Sequence, residues 1–413
     1  MTARQACGRE SFLPPRTLRR LLQEQPTPFY LYDAAGLADS CRVVYEAFSW
    51  NRGFGVYAPV RMNPNPAVLE VLRKAGCGAV CGSETELLLA KRAGFSGQTV
   101  LYAPMAYQES GAGLAKKLGA AQLLDNMQAL APYVPEQTIL SVNPGGGLRL
   151  GGRTVWNFDK CKLGMTEAEA LSLCRQISVH TAAPGFGTCL RDQEAEPQPF
   201  YAAAEYLFCL AARIRKELGI AVESIFLSGG LGACYRDSDK PVDLAAVSRR
   251  IKSAYDGILT PAGLAPRLLL SPGRLLLAPN GVLVSRVIAI KKQKDPTLVL
   301  DADCAQFLRE IAFGVSHRMS APLAPDGREK RLVRMAGALC DMRDHFSGTV
   351  VLPELKLGEC VLIHDVGADG RSFAGNYAGS LGCAEFLLET DGSVRQIRRR
   401  QSPEELLGAF EED

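Results

Sequence analysis

The stretch "VYAPVRMNPNPAVLEVL" at residues 56–72 reads as a short apolar strand, a turn through two prolines and the start of a helix. A strand that leads into a helix is the repeating unit of a parallel sheet, because parallel strands need long crossover connections. Arg61 stands at the tip of the predicted strand, where burial of a cation costs free energy. The stretch therefore predicts the repeating unit of the fold and marks one position whose charge needs an explanation.

The same succession of a strand and a helix is repeated along the chain. Short apolar segments rich in β-formers alternate with segments of helical periodicity. The predicted strands are "GVYAPVR" (55–61), "GAVCGS" (78–83), "TVLYAP" (99–104), "AQLLDN" (121–126), "TILSVNPG" (138–145), "ISVHTAA" (177–183), "SIFLSGG" (224–230) and "RLLLSPG" (267–273). Eight such units predict an α/β fold with a (β/α)8 barrel, which we place at residues 35–275.

The pattern changes after about residue 276, where the chain reads as strands and turns, for example "GVLVSRVIAIKKQ" and "GTVVLPELKLGECVLIHDVGA". This pattern predicts a C-terminal antiparallel β domain over residues 276–413. The segment "PFYLYD" has strand alternation but precedes the first barrel unit. We therefore expect residues 1–34 to form an N-terminal segment that pairs with the β domain.

Composition excludes several classes of function. Lys and Arg total 47 against 44 Asp and Glu, and no basic block is interleaved with aromatic residues, so nucleic acid is not an expected partner. The apolar runs are broken by Pro, Gly and Arg before they reach the length of a membrane span. Thirteen scattered cysteines, without metal-ligand spacing, fit a reducing cytoplasm and no metal site.

A barrel carries its functional residues on the loops that follow the carboxyl ends of its strands. Arg61, Ser83, His180 and the loops "SGGLG" and "SPGR" fall at such positions. A lone histidine after an apolar strand is more often a hydrogen-bonded core residue, and a glycine-rich loop can be only a tight turn. The alternative for that loop is a phosphate cradle built from backbone N–H groups. Together these positions predict one site assembled from several loops.

A series of motifs carries a family resemblance from residue 27 to residue 407. In order they are "RMNPNPAVLEVL", "GSETELLLAKRAGF", "CKLGM", "SVHT", "SGGLG", "SPGRLL", "DADCAQFLREIAFG", "GALCDMRD" and "AGNYAGSLGCAEFLL". The sequence resembles the pyridoxal-phosphate-dependent decarboxylases of the alanine racemase-like barrel fold, called fold type III. Within them it is most similar to diaminopimelate, carboxynorspermidine and ornithine decarboxylases. The resemblance implies pyridoxal 5'-phosphate as the cofactor and an amino acid or amine as the small-molecule ligand.

The resemblance also implies roles for individual residues on the cofactor side. His180 would stack on the pyridine ring, and Tyr377 would close over the phosphate from the β domain. The residues expected to bind the cofactor are His180, Ser228, Gly229, Gly230, Ser271, Gly273, Arg274 and Tyr377.

On the substrate side, the resemblance implies that Arg274 and Arg309 bind the carboxylate that is retained, with Tyr377 beside them. Asp341 would accept the distal ammonium group of the substrate. Cys340 would be the catalytic proton donor, supplied by the partner subunit. A homodimer with shared active sites is therefore expected.

The sequence departs from the family pattern around the cofactor. Arg61 occupies the position of the lysine that forms the Schiff base with pyridoxal phosphate, and a guanidinium with a pKa above about 12 cannot act as that nucleophile. Ser271 replaces the glutamate that keeps the pyridine nitrogen protonated. Further departures are Ser228 for glycine, Val80 for aspartate, Ala183 for serine and Phe313 for tyrosine.

Three interpretations of these departures are open. In the leading one, the protein binds pyridoxal phosphate noncovalently, or as a preformed adduct with an amino acid, and acts on an amino acid carboxylate as a carboxy-lyase of altered mechanism. In the second, it is a pseudoenzyme that binds an amino acid, amine or phosphate without catalysis. In the third, it is a regulatory subunit that dimerises with an active paralogue.

Overall fold

The computed structural model of this protein describes residues 11–130, 134–178, 184–190, 197–236 and 238–410. These residues form two compact units. The barrel unit consists of Ala38–Ala233 and Val242–Leu276, and the β unit consists of the chain through Leu37, Cys234–Pro241 and the chain from Leu277 onwards.

Strands are distributed over the whole described chain. In chain order they are β1 (Phe29–Asp33), β2 (Gly55–Pro59), β3 (Gly78–Cys81), β4 (Val100–Tyr102), β5 (Ala121–Leu124), β6 (Thr138–Ser141), β7 (Leu148–Leu150), β8 (Arg153–Trp156), β9 (Gly185–Cys189), β10 (Ser224–Ser228), β11 (Arg267–Ser271), β12 (Gly281–Lys291), β13 (Thr297–Leu300), β14 (Met319–Ser320), β15 (Lys330–Ala336), β16 (His345–Pro353), β17 (Cys360–His364), β18 (Ala384–Leu388) and β19 (Val394–Arg398).

Helices lie mainly between the barrel strands. In chain order they are α1 (Pro15–Glu24), α2 (Ala34–Ala47), α3 (Pro66–Lys74), α4 (Glu84–Arg92), α5 (Glu109–Leu118), α6 (Glu167–Ile177), α7 (Gln198–Leu218), α8 (Leu244–Ile258), α9 (Gly273–Leu277), α10 (Arg309–Phe313) and α11 (Pro403–Leu407). Across the described ranges, no helix combines the length and the apolar character that crossing a bilayer requires.

Eight parallel strands close the predicted barrel. Their order is β10-β11-β2-β3-β4-β5-β6-β9, and every neighbouring pair is parallel. The fold class predicted from the alternation of strands and helices is therefore confirmed. A short antiparallel hairpin of β7 and β8, which the sequence pattern did not indicate, is inserted after β6.

The strand predicted at residues 177–183 is wrong at its first two residues, and residues 179–183 lie outside the described residues. Ile177 is the last residue of α6, a helix whose N-cap residue, Thr166, forms a capping box with Glu169. The barrel strand is β9, with the sequence "GFGTC". The apolar periodicity of α6 continues through Ile177, so its last residue was assigned to the strand. Two of the five residues of β9 are glycines, which have no side chain, so the sequence pattern did not indicate a strand there. His180 and Ala183 lie outside the described residues.

The β unit contains a mixed but mostly antiparallel sheet. Its main path is β16-β15-β13-β12-β1-β18-β19, with β17 pairing β12 and β14. β1, which lies in the "PFYLYD" segment, is antiparallel to β12 and parallel to β18. Leu18 and Leu21 of α1 join the apolar core beneath this sheet. A strand at the start of the chain thus completes the sheet built mainly by its end.

A glycine permits close packing inside the barrel unit. A methyl group on the Cα of Gly273 would lie 2.4 Å from Met62 Sδ and 2.7 Å from Pro59 Cγ. The Met62 side chain is buried, and the proline ring is rigid. The lack of a side chain at Gly273 therefore lets the end of β11 approach the turn that carries Arg61.

We expect Gly273→Ala to lower the free energy of unfolding by roughly 1–3 kcal/mol, because the added methyl group overpacks this contact. The matched control is Gly257→Ala in α8, where an added methyl group meets no atom within 4 Å. That control should be neutral or stabilising by up to about 1 kcal/mol, since alanine is the better helix former. Urea unfolding measures both variants, and equal stability of the two would contradict the packing argument.

His364 is a buried histidine at the end of β17. Its Nε2 lies 2.7 Å from Ser320 Oγ. Burial, aided by the positive charge of Arg318, lowers the pKa of His364 to about 3. The imidazole is therefore neutral in the folded protein across the physiological range.

This burial predicts a pH dependence of stability. A histidine has a pKa of about 6.5 when unfolded, so below that pH the unfolded chain binds a proton that the folded protein excludes, and stability falls. Between pH 6.5 and pH 5 the loss from His364 should be roughly 2 kcal/mol. Urea unfolding of His364→Gln should lack this part of the pH slope. The exposed His345→Gln is the control and should retain it; an unchanged slope in His364→Gln would refute the assignment.

Candidate functional site

A cavity of about 140 Å³ opens at the carboxyl ends of the barrel strands. Its walls come from residues at or just after all eight strands, in agreement with the position expected for a barrel site. Arg61, Ser228 and Ser271, which the sequence had predicted as site residues, line this cavity. The structure therefore brings three of the predicted residues to one place within the barrel unit.

Strand register determines which side chains point into the barrel. Tyr57, Leu101, Ile139, Phe226 and Leu269 form part of the apolar core inside it. Side chains alternate along a strand, so the residue two positions after each of these core residues also points inward, closer to the mouth of the barrel. In strands without one of these core residues, the inward residue is the one that pairs with an inward residue of the neighbouring strand. This inward ring consists of Pro59, Val80, Ala103, Asp125, Ser141, Cys189, Ser228 and Ser271, all of which line the cavity.

The inward ring has an apolar side and a polar side. The apolar side is formed by Pro59, Val80 and Ala103, from three adjacent strands. The polar arc, as we call the other side, is formed by the next five ring residues, Asp125, Ser141, Cys189, Ser228 and Ser271. Small hydroxyl, thiol and carboxylate groups thus face apolar atoms across the mouth, an arrangement that suits a ligand with one polar and one apolar edge.

Arg61 is exposed, which corrects the expectation of a cation buried at a strand tip. β2 ends at Pro59, and Arg61 lies in the following 3-10 turn, Val60–Met62. The helix α3 then begins behind Asn65, whose side chain accepts the Ala67 N–H at 3.0 Å. Because the turn lifts Arg61 beyond the strand, its guanidinium reaches the cavity without full desolvation.

Glu86 is a cavity residue that the sequence analysis missed. Its carboxylate accepts the Gly82 N–H at 2.9 Å, while Ser83 Oγ accepts the Glu86 N–H at 3.2 Å. Burial raises the pKa of Glu86, and the hydrogen bond from the Gly82 N–H and, less strongly, the positive charge of Arg61 oppose this rise. The start of α4 therefore supplies the carboxylate that balances Arg61. The S-x-x-E capping pattern at residues 83–86 was the sequence signal for it.

Asp125 was also missed, although it directly follows β5. Its carboxylate is 6% exposed and accepts the Gly164 N–H at 2.8 Å. Gly164 belongs to the "CKLGM" segment, and a methyl group on its Cα would lie 2.7 Å from the backbone of Val142 and Asn143. The segment "CKLGM" thus packs against the end of β6 and directs a backbone N–H towards Asp125.

Cys189 is the residue of β9 that belongs to the inward ring at the mouth of the barrel. In the register of the barrel, Cys189 pairs with Ser228, which pairs with Ser271. The predicted cofactor residue His180 lies outside the described residues, so its role stays a prediction. Within the described chain, the ring member contributed by this strand is a thiol.

The glycine loop after β10 has a left-handed backbone at two positions. Gly229 and Gly230 have φ values of +72° and +75°, which favour glycine. The Gly229 N–H donates to the Ser271 carbonyl at 3.1 Å, and a methyl group on Gly230 would lie 2.7 Å from Leu190 Cδ1. Arg274 is 6% exposed and lies in α9, the helix that follows β11.

In the β unit, Arg309 is fully buried and contacts aromatic rings. Its guanidinium stacks 4.2 Å from the centroid of the Tyr235 ring. Arg309 Nη1 lies 2.6 Å from His317 Nε2, and His317 Nδ1 lies 2.8 Å from the His364 carbonyl. Because a guanidinium can only donate, His317 carries its proton on Nδ1. The resemblance assigned Arg309 to the substrate; its role in the β unit includes holding these rings.

The predicted residues Asp341 and Tyr377 meet within the β unit. The Tyr377 hydroxyl donates to the Asp341 carboxylate, and Arg343 Nη2 donates to Asp341 at 3.0 Å and to Tyr377 at 3.1 Å. Hydrogen bonds from Arg343 and Tyr377 hold the pKa of Asp341 well below its usual range. Asp341 is therefore an ionised acceptor, and Cys340 beside it is exposed.

Known proteins with similar sequences and structures identify the family. Residues 38–278 match the model of the pyridoxal-dependent decarboxylase family, pyridoxal binding domain. Protein TabA of Pseudomonas amygdali pv. tabaci is 32% identical over 397 residues, which cover 95% of this chain and 93% of that protein. A diaminopimelate decarboxylase of Methanothermobacter thermautotrophicus is 28% identical over 395 residues, covering 94% of this chain and 92% of that protein.

A solved structure supports the fold independently. The crystal structure of diaminopimelate decarboxylase from Helicobacter pylori complexed with L-lysine has a TM-score of 0.84 at 24% identity, covering 95% of this chain and 98% of that chain. Family and fold together imply pyridoxal phosphate as the cofactor. On the sequence match over the barrel and the full-length relatives, this chain belongs to the pyridoxal-dependent decarboxylase family.

Proposed function

We propose that this protein is a diverged, diaminopimelate decarboxylase-like member of its family. It binds pyridoxal phosphate, or an adduct of pyridoxal phosphate with an amino acid, without a covalent bond to the protein, and acts on an amino acid carboxylate in the cytoplasm. The observation that carries the proposal is the cation at the cavity. Arg61 lines the cavity, and no lysine is among the described residues that do so. A guanidinium stays protonated and cannot attack an aldehyde.

The residues of the barrel unit can bind the phosphate group of the cofactor, but Arg61 cannot attach the cofactor covalently. Gly229 and Gly230 keep the glycine-rich backbone that the family resemblance assigns to the phosphate, and Arg61 and Arg274 provide positive charge in the same unit. Bound pyridoxal phosphate supplies an electron sink for chemistry at an amino acid. The hydroxyl of Ser271, in place of a carboxylate, supplies no negative charge to the ring. The roles of Arg309, Asp341, Tyr377 and Cys340 towards the substrate remain predictions.

The same substitutions favour a second candidate function. The cavity has a positive charge that can bind an anion. Its described residues include neither the lysine amine that attaches the cofactor nor the carboxylate that pairs with the pyridine nitrogen. These properties suit a pseudoenzyme that binds an amino acid or a phosphate. Such a protein could regulate an active paralogue by dimerising with it. Decarboxylation by the purified protein would decide between the two functions, since a pseudoenzyme releases no carbon dioxide from any amino acid.

We expect the wild-type protein, incubated with pyridoxal phosphate and borohydride, to form no reduced adduct at a cavity residue. Peptide mapping by mass spectrometry measures the adduct at each position. Arg61→Lys should gain an adduct at residue 61, because a lysine supplies the primary amine that can lose its proton and attack the aldehyde. The exposed Arg52→Lys is the control and should not gain one at the cavity.

Decarboxylation should recover little in Arg61→Lys, because Ser271 still provides no anionic partner for the pyridine nitrogen. Adding Ser271→Glu should raise the rate further. A reduced adduct on a lysine of this cavity in the wild-type protein would contradict the proposal, since the residue that attaches the cofactor would then be that lysine and position 61 would not be its counterpart.

We also propose a homodimer, which exposed apolar residues of the β unit support. Met342, in the loop that carries Cys340 and Asp341, is 91% exposed. Phe313 and Phe373 are 45% and 41% exposed and stack with ring centroids 5.5 Å apart. Contiguous exposed apolar groups mark interaction surfaces, whereas single ones do not, and the stacked pair is such a contiguous group. An isologous interface would bury them in pairs.

Light scattering at micromolar concentration should give twice the monomer mass. Met342→Glu should shift the protein towards monomer, because a charge would be buried in the interface. Leu357→Glu, at a residue that is 64% exposed in another loop, is the matched control and should leave the mass unchanged. A monomeric wild-type protein would contradict the homodimer.

A further inference from the structure

Asp125 is the one carboxylate of the inward ring, and its environment is incompletely compensated. A carboxylate has about four acceptor positions. Within the described residues, the Gly164 N–H is the donor that fills one of them. The side chain is 6% exposed, so bulk water gives it little stabilisation. A buried carboxylate on the wall of a cavity is expected to receive a cationic donor from whatever occupies that cavity.

The charges lining the cavity support the same expectation. Among the described residues that line it, Arg61 is positive, and Glu86 and Asp125 are negative. The charge of Arg61 acts on Glu86, where it lowers the carboxyl pKa against the effect of burial. Arg61 follows β2, whereas Asp125 follows β5, with two strands between them in the barrel order. Asp125 is therefore left as the negative group on the polar arc.

A second, independent observation also indicates a ligand. Ser271 is 1% exposed, its position in the register directs its side chain into the barrel, and its Oγ has no hydrogen-bond partner among the described residues. A buried hydroxyl without a partner is costly unless a bound molecule satisfies it. Asp125 and Ser271 lie at opposite ends of the polar arc, so a molecule that spans the arc can satisfy both.

Resting on the proposed function, we infer that the cavity selects the amine form of the cofactor, pyridoxamine 5'-phosphate, over the aldehyde form. Its ammonium group donates to Asp125 in a charge-assisted hydrogen bond. In a protein with an attachment lysine, the aldehyde gains affinity from a covalent bond. Arg61 cannot form that bond, so the aldehyde has no such advantage here. The charge on the ligand then decides which form binds more tightly.

The test compares three phosphates that differ at one substituent: pyridoxamine 5'-phosphate (ammonium), pyridoxal 5'-phosphate (aldehyde) and pyridoxine 5'-phosphate (hydroxyl). Dissociation constants are measured at pH 7 by isothermal titration calorimetry on the full chain. We expect the wild-type protein to bind the amine at least tenfold more tightly than either other form. In Asp125→Asn this preference should fall below threefold, through weaker binding of the amine alone.

The control is Glu86→Gln, which removes the other cavity carboxylate while its side-chain oxygen can still accept the Gly82 N–H. It should keep the preference for the amine. Asp125→Asn should fold, because its amide oxygen can accept the Gly164 N–H. The wild-type comparison of the three phosphates tests the inference even if the variant does not fold.

The outcomes separate this inference from the proposed function. If the aldehyde or the alcohol binds as tightly as the amine, the inference is overturned and noncovalent cofactor binding stands. If none of the three phosphates binds, both fail. If L-lysine alone binds in a manner that Asp125→Asn abolishes, while the three phosphates bind equally, the ammonium group belongs to an amino acid and the inference is likewise overturned.

Discussion

A closed parallel barrel admits only every second side chain of each strand to its interior, and this constraint decides the chemistry of the site. The register that places Tyr57, Phe226 and Leu269 in the core also places Pro59, Ser228 and Ser271 at the mouth. A shift of one residue in any strand would exchange its inward and outward side chains. The apolar interior of the barrel therefore fixes which residues can contact a ligand.

The second requirement of the site is close approach of the loops that follow these strands. Gly273 allows the end of β11 to pack against Pro59 and Met62, and Gly164 allows its segment to pack against β6. Each contact positions a charged group, Arg61 in the first case and Asp125 in the second. Glycines distant in sequence thus control the placement of charge around one cavity of the barrel unit.

Charge balance distinguishes this cavity from a simple anion site. Arg61 and Glu86 line the same cavity, and burial, the Gly82 N–H and the Arg61 guanidinium all act on the pKa of Glu86. Asp125 has one N–H donor among the described residues. A family whose cofactor carries a phosphate needs cations, but the Asp125 carboxylate also favours a ligand with a positive group. The proposed function and the further inference rest on these two sides of the same charge distribution.

The sequence by itself determined the barrel, the strand-rich C-terminal part and the strand in "PFYLYD", because side-chain periodicity is local and strong in those segments. It also placed Arg61, Ser228 and Ser271 at strand ends. It misplaced β9, whose glycines give no periodic signal, and it did not single out Glu86, Asp125 or Cys189. Only the tertiary structure decided those residues, because membership of the inward ring depends on register between strands, and register is set by packing among residues far apart in the chain.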